Sequence, residues 1–244
     1  MTARRIARPG SVPEPGEIWV QRGPRLTLLA LHLVPVARVR PFVPAALDIR
    51  AVLPGRTLAT VFATEYGPGS TLEYRELIVA PAIAGVGGRH GWWVSHIYVD
   101  DERSMRGGRA LGLGKELADF GWTGDRAGRI TVAQGDRTLA TVDYAAGGWG
   151  LPLPLGSYGV SCLGPRVLRS WQRLTAQWAP ARMRVSAPPE SPLHAPLGAL
   201  GRPLLAIAGR RMHGEMCVDL TEIGRLDAAR TDPQAGRSRR IRRW

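Results

Sequence analysis

From Arg25 to Val34 the chain alternates loosely between apolar and other positions, the two-residue period of a half-buried strand. The apolar residues then take a helical spacing at Val36, Val39 and Val43 before Pro44 interrupts it, which predicts a short helix and a turn over Val36 to Ile49. Thr57 to Glu65 and Leu72 to Ala80 read as two strands joined by Gly67-Pro68-Gly69-Ser70. In the second, Leu72, Tyr74, Glu76, Ile78 and Ala80 share one face, while Glu73, Arg75, Leu77 and Val79 share the other. Glu76 is thereby placed on an otherwise apolar face, where a carboxylate must be paired, hydrogen-bonded or protonated. A carboxylate at a strand end that reaches solvent or an arginine fits the same pattern.

Trp92 to Val99 predicts a further strand, with Asp100 capping a short helix over Asp101 to Leu111. Gly107 and Gly108 weaken that helix by about 1 kcal/mol each relative to alanine. Arg129 to Ala133 and Arg137 to Tyr144 flank Gln134-Gly135-Asp136, a hairpin signal. AAGGWGLPLPLG, from Ala145 to Gly156, and the stretch from Ala187 to Pro203 read as Gly/Pro-rich connections. Between them Trp171 and Trp178, seven apart, fit one helix face and read as core packing, while Ala181 to Ala187 and Met212 to Leu220 are late strands. Sequential, mostly antiparallel strands with few helices point to a mainly β fold, a closed barrel or a sandwich. The expected organisation is a flexible lead over residues 1–16, one domain over 17–227, and a basic, disordered tail over 228–244.

Composition narrows this picture. At 44% hydrophobic and 22% charged the chain is globular, and its length suits a single domain. The net charge of +13 suggests a nucleic-acid partner, but Arg4, Arg5 and Arg8 at one end and Arg237, Arg239, Arg240, Arg242 and Arg243 at the other carry much of it. The body between shows no helix-turn-helix, finger or RNP motif, so nucleic acid is disfavoured. Cys162 and Cys217 are too few for a disulfide framework and have no CxxC spacing, which makes a reducing, cytoplasmic location the default. No apolar run follows the early arginines as a secretory signal requires, and Leu26 to Val39 is broken by His32, Pro35 and Arg38, so no membrane span is expected.

One residue stands apart from this arginine-rich background. Of thirty-three basic residues thirty-two are arginine, and the exception is Lys115 in SMRGGRALGLGKELADF. A guanidinium stays protonated, whereas a lysine amine in a dry site can lose its proton and attack a carbonyl to form a Schiff base. The five histidines, His96 included, are scattered without metal-ligand spacing, so no metal is expected, and His96 reads as an ordinary strand residue. GRALGLG lacks the flanking strand and helix of a dinucleotide loop.

Taken in order, Tyr74-Arg75-Glu76, HIYVDDE from His96 to Glu102, Gly108-Arg109, Gly112-Leu113-Gly114-Lys115 and the Arg129 to Tyr144 hairpin resemble the acetoacetate decarboxylase superfamily, over about Arg22 to Leu220. That family is itself a standard example of a lysine activated by desolvation or a neighbouring cation. The resemblance implies a cone-like closed antiparallel β-barrel with a few short helices around a Schiff-base lysine, with no cofactor, a small keto acid or other carbonyl compound as substrate, and assembly as a homo-oligomer. It places Lys115 as the nucleophile, Glu76 as the active-site glutamate, and Arg25 and Tyr74 as substrate-binding residues. The chain departs from the family in having Gly114 and Glu116 where proline and a second lysine flank the nucleophile, and Val61 in place of a second buried glutamate, with Glu65 the nearest substitute.

These departures bear on chemistry. A free lysine amine, with its ordinary pKa of about 10.4, is neutral in only about one molecule in 10³ at pH 7. Glu116 and Glu65 are therefore the groups expected to tune the lysine, a carboxylate near the amine favouring its charged form. Three readings follow: a Schiff-base enzyme that decarboxylates a keto acid or does aldol or dehydration chemistry on it; a barrel that binds a carbonyl compound without turning it over; and a binder of nucleic acid or membrane surfaces through the arginine-rich tail.

Overall fold

The computed structural model describes residues 5–226, and the predicted basic tail lies outside them. The alternating stretches form fifteen strands: β1 (Trp19–Gly23), β2 (Thr27–Pro35), β3 (Asp48–Ile49), β4 (Arg56–Tyr66), β5 (Tyr74–Ala80), β6 (Ala82–Val86), β7 (Arg89–Trp93), β8 (His96–Val99), β9 (Lys115–Leu117), β10 (Asp119–Thr123), β11 (Ala127–Gln134), β12 (Arg137–Ala146), β13 (Leu151–Leu163), β14 (Arg166–Ser186) and β15 (Leu205–Arg225). Among the described residues three short helices join them, α1 (Val36–Val39), α2 (Glu102–Ala110) and α3 (His194–Leu200), and a 3₁₀ turn over Arg40–Phe42 extends α1. None of the helices among the described residues is long and apolar enough to cross a membrane.

The strands form one mainly antiparallel sheet whose main path runs β3-β6-β7-β13-β14-β15-β2-β4-β5-β8-β9. No ladder joins β3 to β9, so the closed cone-like barrel expected from the sequence is not formed by hydrogen bonding: both ends of the path are strands of two or three residues, too short to carry the ladder on. Two apolar clusters lie against the sheet. The larger includes Leu28, Ala30, Val61, Leu77, Val79 and Tyr98, and the smaller gathers Trp19, Tyr66, Tyr74, Ile97, Val99, Met212 and Cys217. Leu77 and Val79 thus face one cluster while Tyr74 and Glu76, two residues apart in β5, face the other.

Several predicted boundaries move, each for a physical reason. The strand expected over Trp92 to Val99 breaks at Val94-Ser95, because β7 pairs with β6 and β13 whereas β8 pairs with β5. The Gly/Pro-rich connection becomes a strand from Leu151 onward. There β13 is paired on one side by β14, while β7 reaches its other side only at Gly159 and Val160, an edge setting in which Pro152 and Pro154 are tolerated. Trp171 and Trp178 lie on β14 rather than a helix; Trp171 packs edge-on to Tyr158 and Trp178 donates to the Leu153 carbonyl. Within the predicted lead, Ala7 is buried and bonds to Ile18, and Gly10 donates to the Thr71 carbonyl while accepting from Arg103.

The helix cap is Asp101, not Asp100. Its carboxylate accepts from the Ser104 backbone N–H at 2.9 Å, the three-residue reach of an N-cap, while Asp100 is taken by the backbone N–H and guanidinium of Arg75. Replacing Asp101 by alanine removes about 1 kcal/mol of cap and is expected to lower the melting temperature by about 2–4 °C for a chain of this size. Asp101→Asn retains the acceptor and is the control; equal melting of Asp101→Ala and wild type would show that the cap contributes nothing.

Candidate active site

The short strand β9 owes its place to α2. It pairs in parallel with β8, Lys115 beside Ile97, and a parallel neighbour requires a crossover of a dozen or more residues, which the chain supplies from Asp100 to Gly114. Lys115 is the first residue after that crossover. Its side chain passes across β8 toward β5, two strand spacings or about 10 Å away. There Nζ lies 2.8 Å from Glu76 Oε1, with Lys115 only 2% and Glu76 1% exposed.

Three acceptors meet the amine. Besides Glu76, Nζ donates to Ser104 Oγ at 3.0 Å and to Tyr74 OH at 3.5 Å. It also sits 5.1 Å from the Trp19 ring centroid and 5.0 Å from that of Tyr74, within cation–π range. The far oxygen of Glu76 accepts from Tyr66 OH at 3.1 Å, and the Tyr66 and Tyr74 rings pack 4.7 Å apart. Burial, reinforced by the Glu76 charge, pushes both phenols well above their ordinary range, so each remains a neutral hydroxyl. Cys217 borders the same cluster, and burial pushes its thiol up to about 12, too high for it to compete with the amine as a nucleophile.

The helix is shaped to this side chain. Ser104 and Gly108 are four residues apart, one above the other on the face of α2. A Cβ on Gly108 would stand 2.5–2.8 Å from Lys115 Cγ, Cδ and Cε, and one on Gly107 about 3.0 Å from the Trp19 ring. The two glycines that weaken the helix are therefore what let it approach. Arg109 steadies the strand from outside, its Nε donating to the Lys115 carbonyl at 3.0 Å.

Of the residues singled out in the sequence, the structure brings Lys115, Glu76 and Tyr74 together and leaves Arg25, Glu65, Glu116 and His96 elsewhere. Arg25, 45% exposed, forms an ion pair with Glu65 at 2.9 Å. Glu65 adjoins Tyr66 in β4 and so projects to the opposite face from the site. Glu116 is exposed on the far side of β9, beside Tyr98 in register and within 3.5 Å of Gln134 Nε2. His96 bonds to Ser95 Oγ through Nδ1 and lines a surface depression of about 850 Å³ with Phe42 and Trp93, apart from Lys115. Sequence reading missed Ser104, Tyr66, Trp19 and Cys217. Ser104 alone left a trace, standing one turn before Gly108 on the predicted helix.

Fold and site together define a mainly β protein organised around one buried lysine–carboxylate pair. The chain belongs to the acetoacetate decarboxylase family, whose model matches residues 11–159. Among solved structures it is similar to an acetoacetate decarboxylase from Legionella pneumophila, with a TM-score of 0.64, 11% identity, and coverage of 84% of this chain and 87% of that one. An acetoacetate decarboxylase-like enzyme from Sphingomonas wittichii RW1 matches at TM-score 0.57 and 15% identity over 93% of this chain and 100% of the other. The enduracididine biosynthesis enzyme MppR matches at TM-score 0.57 and 16% identity over 88% and 92%. No curated protein matches the chain by sequence.

Gly108→Ala tests the close approach. Alanine would favour the isolated helix by about 1 kcal/mol, but overpacking against the pinned lysine is expected to cost about 1–3 kcal/mol. The melting temperature should therefore fall. A rise would show that Lys115 yields to the methyl group freely.

Proposed function

We propose that the protein is an enzyme that forms a Schiff base between Lys115 and a small keto acid and uses the imine to break or make a carbon–carbon bond, as a lyase. The observation that carries this reading is the amine of the single lysine, 2% exposed and 2.8 Å from a buried carboxylate. Attack on a carbonyl requires the ammonium to give up a proton, and Glu76 is in direct contact to receive it. The neutral amine adds to the carbonyl carbon, water leaves, and the iminium nitrogen then draws in the electrons of the adjacent bond as carbon dioxide departs or an enamine forms. Glu76 is placed to return the proton to the product carbon or nitrogen.

Solved structures of MppR hold pyruvate and the condensation product of pyruvate with imidazole 4-carboxaldehyde, which supports a small keto acid as the substrate class and carbon–carbon chemistry alongside decarboxylation. Arg25 has no part in this reading, being paired through Nε with Glu65 away from the lysine. Glu116, exposed on the other side of β9, has no part in it either.

Borohydride reduction of wild type with pyruvate or acetoacetate should leave one adduct, on Lys115. Lys115→Arg keeps a positive charge opposite Glu76 but has no nucleophilic amine, so adduct and turnover should both vanish. An adduct that persists in Lys115→Arg would refute the Schiff-base reading.

A further inference from the structure

We propose that Ser104 is a second proton-transferring residue of the site, working opposite Glu76 in forming the imine; this rests on the Schiff-base reading above. The argument begins with counting hydrogens. A lysine ammonium carries three protons on Nζ and an iminium carries one, so two must leave the nitrogen. The same two depart with the carbonyl oxygen as water, and the positive charge is conserved. The nitrogen thus gives up protons at two separate stages, and it has two short contacts, Glu76 Oε1 at 2.8 Å and Ser104 Oγ at 3.0 Å.

The two contacts are of different chemical kinds, as the sequence of steps requires. Glu76 takes the first proton and holds it as a carboxylic acid. The freed electron pair on Nζ forms the N–C bond, and the C=O π pair moves onto oxygen. The nitrogen, again positively charged, passes its second proton to Ser104 Oγ while the serine gives its own hydrogen to that oxygen, leaving a neutral carbinolamine and an unchanged serine. The C–O bond then breaks, the nitrogen pair forms C=N, and the acid of Glu76 protonates the departing hydroxyl to water. A hydroxyl suits the middle step because it donates and accepts at once.

Placement supports the assignment. Ser104 is 0% exposed, so no bulk water stands in for it. Its backbone N–H is held by Asp101, which fixes the first turn of α2, and its Oγ shares the face of α2 that packs on Lys115. Tyr74 OH is farther from Nζ, at 3.5 Å, and Tyr66 touches only the other oxygen of Glu76. Once the nitrogen is an iminium with a single N–H, Ser104 and Tyr74 no longer receive a lysine donor.

The test is a rapid-quench series in which protein is mixed with pyruvate or acetoacetate, borohydride is added after set intervals, and the Lys115 adduct is measured by mass. The rise reports the rate of imine formation and the plateau its equilibrium. Ser104→Ala keeps the backbone N–H that Asp101 caps. Its rise should slow by about 10²-fold, the usual scale for one proton-transfer group. Ser104→Thr keeps the hydroxyl and should stay within about tenfold of wild type. If Ser104→Ala does not fold, the wild-type rise measured in D₂O decides, being expected to slow if proton transfer limits it. A wild-type rate in Ser104→Ala, a loss of plateau without loss of rate, Ser104→Thr as slow as alanine, or no D₂O effect would each overturn the assignment while wild-type trapping left the Schiff-base reading standing. No Lys115 adduct in wild type with either probe would overturn both.

Discussion

The ion pair between Lys115 and Glu76 sits where water cannot screen it, and two opposing consequences follow. Removing an ammonium and a carboxylate from water costs several kcal/mol per ion, and their mutual attraction offsets this only when the remaining hydrogen-bonding capacity is also met. The structure meets it: the amine's three donors find Glu76, Ser104 and Tyr74, and the second carboxylate oxygen finds Tyr66. Deleting either charge would leave the other bare, at about 3–5 kcal/mol. The aromatic wall of Trp19, Tyr66 and Tyr74 exists in the same arrangement, apolar in its rings and polar at its hydroxyls.

That requirement explains an oddity of topology. In a sheet that is otherwise nearly all antiparallel, the lysine arrives on a parallel strand of three residues delivered by a helical crossover. The crossover brings a helix face directly over the amine, which a hairpin turn could not do. Its glycine pair sacrifices helix stability for closeness, an exchange common where a site needs a backbone near a side chain.

Much of this was readable beforehand, and the limits have physical causes. The faces of β5 followed from the two-residue period, so Tyr74 and Glu76 were correctly set together. Lys115 stood out because composition isolated it, and the family resemblance drawn from these residues is shown by the match over residues 11–159. Arg25 and Glu65 were harder: Arg25 lies in the bend between β1 and β2, which face of β4 looks into the site depends on sheet pairing, and the two charges pair with each other instead. Ser104 was hidden because nothing in the spacing of a first helical turn marks one hydroxyl as facing a site, and the cap and the site use different atoms of the same residue. The openness of the sheet depends on how far its terminal strands extend, and periodicity does not fix element ends.

A chain with thirty-two arginines and one lysine is also chemically singular. Apart from the α-amine at its start, it offers amine-selective reagents a single side chain, and that side chain is 2% exposed. Labelling of Lys115 by a neutral acylating reagent therefore proceeds only through whatever fluctuation uncovers it, so the pace of that reaction is a clock for the local opening that exposes the amine. Near-exclusive use of arginine leaves the molecule carrying its own site-specific reporter of breathing.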